Sequence, residues 1–317
     1  MMTMTNKMNM MNKKKILISI LMVLFLLAGL PALITADQVD KEQEKKSDTS
    51  PAPSTDEKKD AEANTPFFKS LWQDEGRILS SPARMKGKSF LVWGGVAVVT
   101  GFLIANDEAI YRNFKKFQAN HKWVDDVSPQ VTKLGLGEWN LGIAGMFYAG
   151  GLIFKDARAK ETARLALMTF IHTGVVVQIG KHLAGRQRPE NALGIGSDHW
   201  SGPAGFFKRY KSYQLSRYDA FPSGHTISIF GTATVIAEMY KKTVWVPILS
   251  YSLASLCGLS RVTEDTHWLS DVFLGAVLGY AIGKYIVKHR NRTGNRALNI
   301  FPVANSQQIG IGLQYAF

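Results

Sequence analysis

Ser260–Asp271 reads SRVTEDTHWLSD and lies between two apolar stretches, at about 243–260 and 268–287. It sets an Arg, a His and an Asp together where a chain enters or leaves an apolar environment. A helix starting near His267 puts Asp271 four residues on, on the same face. A carboxylate so placed holds one imidazole nitrogen and leaves the other nucleophilic, as a base does with its orienting group. Arg261 adds a planar fork of donors suited to a phosphate or a carboxylate. Taken alone, the stretch is equally a buried, hydrogen-bonded His with an incidental Arg beside it.

Two stretches upstream change its weight. FPSGHTIS, Phe221–Ser228, puts Pro222, Ser223, Gly224 and His225 at the start of an apolar helix. Pro suits a first helical turn, and the free N–H groups there, with Gly allowing close approach, make an anion site. KHLAGRQRPE, Lys181–Glu190, carries Lys181 and Arg188 seven residues apart, on one face if the backbone stays helical. Pro189 then disfavours continuing that helix. A capped helix start and a pair of interfacial anchors are the plainer readings of each alone. Together they bring three cations, a helix N-terminus and two imidazoles to the ends of apolar helices, as an oxyanion site requires.

Six apolar segments span about 89–106, 139–154, 165–180, 220–237, 243–260 and 268–287. They hold Gly and Ala without strict alternation, which favours helices over strands. The expectation is an all-α, six-helix bundle. The first five have charge-free cores near the short limit of a bilayer span, while Asp271 and Lys284 interrupt the sixth; a membrane-embedded bundle is expected over a soluble one. The C-terminal QIGIGLQYAF alternates large apolar residues with small or polar ones and predicts a strand, paired with NIFPV in a β-hairpin.

Lys and Arg number 38 against 25 Asp and Glu, a formal net charge of +13. That balance points to an anionic partner without choosing among nucleic acid, lipid surface and phosphorylated substrate. Cys257 is the single cysteine, which excludes an intrachain disulfide. Residues 1–36 read as a signal peptide or an N-terminal anchor, with NKKK before an apolar run. Residues 37–66 read as a disordered linker, since they have almost no large apolar side chain. A helical domain over 67–288 and a tail over 289–317 complete the expected organisation.

With these motifs the chain resembles the type-2 phosphatidic acid phosphatase superfamily, which includes membrane lipid phosphatases, bacterial acid phosphatases and vanadium haloperoxidases. The signature K-x6-RP, PSGH and SR-x5-H-x3-D is met in order by Lys181 to Arg188-Pro189, Pro222 to His225, and Ser260-Arg261 to His267 to Asp271. The resemblance covers about 89–288 and implies the fold, a bundle of the phosphatase/haloperoxidase type. It also implies the chemistry. His267 attacks phosphorus and becomes a phosphohistidine; Asp271 orients it; His225 protonates the leaving oxygen. Lys181, Arg188, Ser223, Gly224 and Arg261 bind the phosphoryl oxygens, and no metal or other cofactor takes part. The expected activity is removal of phosphate from a lipid phosphate or pyrophosphate at a membrane, with no nucleic-acid partner. A secreted acid phosphatase for small organic phosphates and a vanadate-dependent haloperoxidase are the alternatives.

Between the first two motifs, Trp200, Phe206, Phe207, Tyr210, Tyr213 and Tyr218 interleave with Lys208, Arg209, Lys211 and Arg217. Their position suggests a lid facing lipid headgroups. The expected place is the cell envelope, with the site facing outside the cytoplasm. Counting spans raises a conflict: if residue 37 is outside, the next three segments carry the catalytic ends inward.

Overall fold

Each of the six apolar segments forms a helix in a computed structural model that describes residues 67–192, 200–204, 218–289, 299–304 and 309–314. The helices are α1 (Phe67–Leu79), α2 (Lys88–Asn120), α3 (Trp123–Val131), α4 (Gly137–Ile153), α5 (Ala157–Ala184), α6 (Pro189–Ala192), α7 (Gly224–Met239), α8 (Trp245–Thr263) and α9 (Leu269–Lys288). The described residues thus hold nine α-helices rather than the expected six. Apolar runs identify α2, α4, α5, α7, α8 and α9; α1, α3 and α6 lie outside those runs. Strands β1 (Asn299–Ala304) and β2 (Ile309–Gln314) pair antiparallel, Asn299 opposite Gln314 and Ala304 opposite Ile309. The expected signal or anchor, the linker and residues 205–217 of the expected lid lie outside the described residues.

Helix α7 is buried from Thr226 to Val235, because α5, α8 and α9 surround it. Its contact with α9 is made by glycines four apart. A Cβ on Gly275, Gly279 or Gly283 would stand 2.9, 2.3 or 2.7 Å from the carbonyl oxygens of Ser223, Ile227 and Gly231. Small residues at that spacing let two backbones approach closely. On the other side, a Cβ on Gly180 of α5 would meet Pro222 Cδ at 2.6 Å. Glycine therefore brings the first and third motif helices against the second.

Several outer faces are apolar. Leu91 and Val98 on α2, Ile153 on α4 and Trp245 on α8 are 74%, 73%, 73% and 77% exposed. Among the described residues, three helices are long and apolar enough to cross a membrane: α2, α5 and α9. Helix α5 ends at Gly185, whose φ of 54° is left-handed; its N–H donates to the Lys181 carbonyl at 3.0 Å. Glycine adopts that conformation without a Cβ clash. The helix does not continue to Arg188, so the condition for Lys181 and Arg188 to share a helical face is not met.

Candidate active site

His267 lies just before α9, whose N-cap is Trp268, so the helix does not start at the histidine. Asp271 is then the third residue of the helix rather than a partner on a common face. Its Oδ2 accepts from the Trp268 backbone N–H at 2.8 Å. Its Oδ1 accepts from Arg186 Nη1 at 2.6 Å. His267 Nδ1 is 3.7 Å from Asp271 Oδ2, outside hydrogen-bond distance, and instead contacts the Ala220 carbonyl at 2.6 Å. A carbonyl only accepts, so Nδ1 carries the proton and Nε2 keeps its lone pair. The orienting acceptor is a backbone oxygen next to the second motif; the expected Asp271 contact is replaced by a helix cap and an ion pair.

Arg186 organises the floor of the site. It is fully buried, and its Nη1 donates to Ser270 Oγ and its Nη2 to Asp107 Oδ2, at 2.6 and 2.8 Å. Its guanidinium lies over the Trp200 and Trp268 rings, 4.6 and 5.5 Å from their centroids. Asp107 also accepts from the Ser270 backbone N–H at 3.1 Å. Paired in this way, the buried charges avoid the large penalty of an isolated one. The structure thus ties α2, the end of α5 and the start of α9 together through residues the motif reading omitted. Asp107, a carboxylate at the end of an apolar run, was a usable signal. Arg186 was hidden among the motif cations flanking it.

The second motif lies above this floor. Ser223 caps α7, its Oγ accepting from the Thr226 hydroxyl at 2.9 Å and the Thr226 N–H at 3.4 Å. Its own N–H donates to the Asp271 carbonyl at 3.1 Å. Pro222 thus precedes the cap rather than filling the first turn. Gly224 faces Lys181: a Cβ there would be 3.7 Å from Lys181 Nζ. His225 is half-buried and packs on Gly135, where any Cβ would come within 2.6 Å of the histidine's own.

The three expected phosphate-binding cations all have carboxylate partners. Arg188 Nε donates to Asp219 Oδ1 at 2.8 Å, and Lys181 Nζ is 3.4 Å from Asp219 Oδ2. Arg261 Nη1 donates to Glu264 Oε2 at 2.6 Å and to Thr132 Oγ1 at 2.5 Å. Arg261 Nε is buried with no partner, a donor left unused. Asp219 has no counterpart in the motif reading; it precedes FPSGH by two residues and carries no pattern of its own.

The electrostatics report one cationic cluster around both imidazoles. Burial, then Arg261, His267, Lys181 and Arg188, push the His225 imidazole down to about 3. Burial, then Arg188, Lys181 and Arg261, hold His267 well below the ordinary histidine value. Burial acts to raise the Asp219 carboxyl, but Lys181 and Arg188 outweigh it and keep it below the ordinary value. All eight motif residues named from the sequence therefore lie at one end of the bundle. Of the expected lid, Trp200 packs on Arg186 and on the Phe221 ring, 5.1 Å between centroids.

The three motifs that converge at this end of the bundle lie within the stretch matched by a known family. Residues 162–294 match the family model of the PAP2 superfamily. The chain is 27% identical over 166 residues to a lipid A 1-phosphatase of Porphyromonas gingivalis, covering 52% of this chain and 30% of that protein. It is 27% identical over 174 residues to a probable diacylglycerol pyrophosphate phosphatase 1 of Schizosaccharomyces pombe, covering 46% of this chain and 62% of that one. The chain thus spans less than two thirds of either relative. A transmembrane PAP2-type phosphatidylglycerolphosphate phosphatase from Bacillus subtilis is similar in structure, with a TM-score of 0.46, 20% identity, and coverage of 63% of this chain and 96% of that one.

Proposed function

We propose that the protein is a metal-independent phosphohydrolase that removes phosphate from a lipid phosphate or lipid pyrophosphate at a membrane. The single observation that carries the reading is the fixed tautomer of His267, with Nδ1–H on the Ala220 carbonyl, beside three cations. In the first step His267 Nε2 attacks phosphorus; the P–N bond forms as the bond to the leaving oxygen breaks. His225, whose pKa rises once the bound phosphate offsets the surrounding cations, is protonated in the complex and gives its proton to that oxygen. In the second step water attacks the phosphohistidine, His225 takes the water's proton, and the P–N bond breaks to free phosphate. Lys181, Arg188 and Arg261, with Ser223 and Gly224 at the start of α7, hold the phosphoryl oxygens as charge develops. Asp271 acts at one remove, through Arg186 and the start of α9.

Lipid substrates are supported by the apolar faces of α2, α4 and α8, and by two curated relatives named as phosphatases of lipid compounds. A secreted acid phosphatase would not present such faces to water. The site is assigned to the outer side of the membrane, as the resemblance implies. Acid-quenched enzyme given labelled lipid phosphate in detergent should carry label on His267, with turnover persisting in EDTA. Label at another residue, or activity lost to EDTA and restored by a divalent metal, sinks this mechanism.

A further inference from the structure

Asp219 is an anion in a site whose other side chains await one. Its two carboxylate oxygens occupy Arg188 Nε at 2.8 Å and Lys181 Nζ at 3.4 Å, the cations expected to receive phosphate. The three side chains are 10%, 16% and 13% exposed, so they face one another across a nearly closed space. The backbone beneath is anchored: Ala220 N–H donates to the Arg186 carbonyl at 3.0 Å, and Ala220 O accepts from His267. The carboxylate arm of Asp219 takes no part in that anchoring, so swinging it away leaves the Ala220–His267 contact in place. Arg186, Asp107 and Asp271, by contrast, are fully buried and satisfied by one another, which separates the structural floor from this exchangeable pair.

We propose that Asp219 is a built-in competitor for the phosphoryl group, filling the Lys181–Arg188 pair in the empty enzyme and giving it up when phosphate binds. The inference rests on the phosphate-site reading above. A phosphate brings more negative charge and more acceptor oxygens than a carboxylate, so it wins the cations when held by the rest of the site. A lipid substrate has its apolar part to anchor it; free phosphate does not. Asp219 therefore favours release of inorganic phosphate after the phosphohistidine is hydrolysed, and limits inhibition by that product.

The test compares Asp219→Asn, which keeps the shape, with Asp219→Ser, which removes the arm. Inhibition constants for inorganic phosphate and vanadate, and KM for a lipid phosphate in mixed micelles, are measured for each. Both inhibition constants should fall about tenfold or more, since a hydrogen bond to a charged group contributes on that order. A fall confined to KM for the lipid would assign the exchange to the headgroup alone and overturn the product-release role. Unchanged or raised inhibition constants would mean that Asp219 positions the cations, and would overturn the proposal. If both variants fail to fold, the vanadate-bound wild-type structure decides. There the Arg188–Asp219 contact should open beyond about 3.5 Å, and an intact contact refutes the exchange. Wild-type enzyme indifferent to both anions would instead refute the phosphate site itself, and the proposal with it.

Discussion

His267 and Asp271, four residues apart, approach to 3.7 Å without a hydrogen bond. The carboxylate instead holds Arg186 and the first turn of α9, and the imidazole holds Ala220. Removing Asp271 therefore breaks a buried ion pair and a helix cap before it touches the histidine's tautomer. Asp271→Asn should lower stability by about 3–5 kcal/mol, the usual loss when one partner of a buried pair is removed. Arg186→Met should reveal a similar loss by leaving two carboxylates facing each other. Thermal melting in detergent reads both; an Asp271→Asn enzyme of wild-type stability that is catalytically dead would restore the direct orienting role.

His267→Ala should abolish phosphoenzyme formation while leaving the fold in place. The substitution strands the Ala220 carbonyl, a loss of about 1–3 kcal/mol, smaller than that of the ion pair below it. Turnover should fall to background while the melting temperature moves less than in Asp271→Asn. Retained turnover would remove His267 from the mechanism.

Both imidazoles are held low by the same cations, and this sets the pH dependence of anion binding. An anion placed among Lys181, Arg188 and Arg261 offsets their positive field, so His225 and His267 have higher pKa values in the complex than in the empty site. A group whose pKa rises on binding takes up a proton, and affinity strengthens as pH falls through the bound-state value. Vanadate inhibition, compared at equal concentration of one vanadate ion, should tighten from weakly alkaline to weakly acidic pH. His225→Ala should flatten that dependence. Affinity that improves as pH rises would contradict the cluster.

The six long helices and the eight motif residues were legible because apolar runs and fixed motif spacing are local. What escaped was non-local. The acceptor for His267 is a main-chain oxygen 47 residues away, which no side-chain pattern announces. Arg186 was readable as a charge but not as the partner of Asp107 and Asp271, whose separations in sequence are 79 and 85. Whether Lys181 and Arg188 share a face turned on the helix continuing between them, and the left-handed backbone of Gly185 ends it. Gly275, Gly279 and Gly283 recur every fourth residue in the sequence, and that spacing gains its meaning only from the face of α7 it meets.

That repeat gives a sharp contrast between glycines. A Cβ at Gly279 would stand 2.3 Å from the Ile227 carbonyl, whereas one at Gly145 on α4 would meet nothing within 4 Å. Gly279→Ala should force α9 away from α7 at a loss of about 1–3 kcal/mol or more. Activity should fall with it, because both helices begin in the site. Gly145→Ala should be neutral or slightly stabilising, as Ala is the better helix former. Equal behaviour of the two variants in thermal melts and turnover would deny that close packing sets the site.

The last prediction concerns which side of the membrane each part occupies. Helix α2 reaches the site with its C-terminal half, where Asp107, Tyr111 and Lys115 contact Ser270 and Asp265. Helix α9 leaves the site from its N-terminus. If both span the bilayer, as their length and composition allow, the chain before α2 and the chain after α9 share the face opposite the site. An outward-facing site then requires residues 37–66 and the tail to be cytoplasmic, which a cleaved signal delivering residue 37 outside would forbid. The native Cys257 is buried, so single cysteines introduced elsewhere report cleanly. Ser47→Cys and Ser306→Cys should react with an impermeant maleimide from one side, and Glu190→Cys, exposed beside the site, from the other. In intact cells only the Glu190→Cys protein should label. Labelling of Ser47→Cys and Glu190→Cys from the same side would show that α2 does not cross; labelling of Ser47→Cys alone would place the site in the cytoplasm.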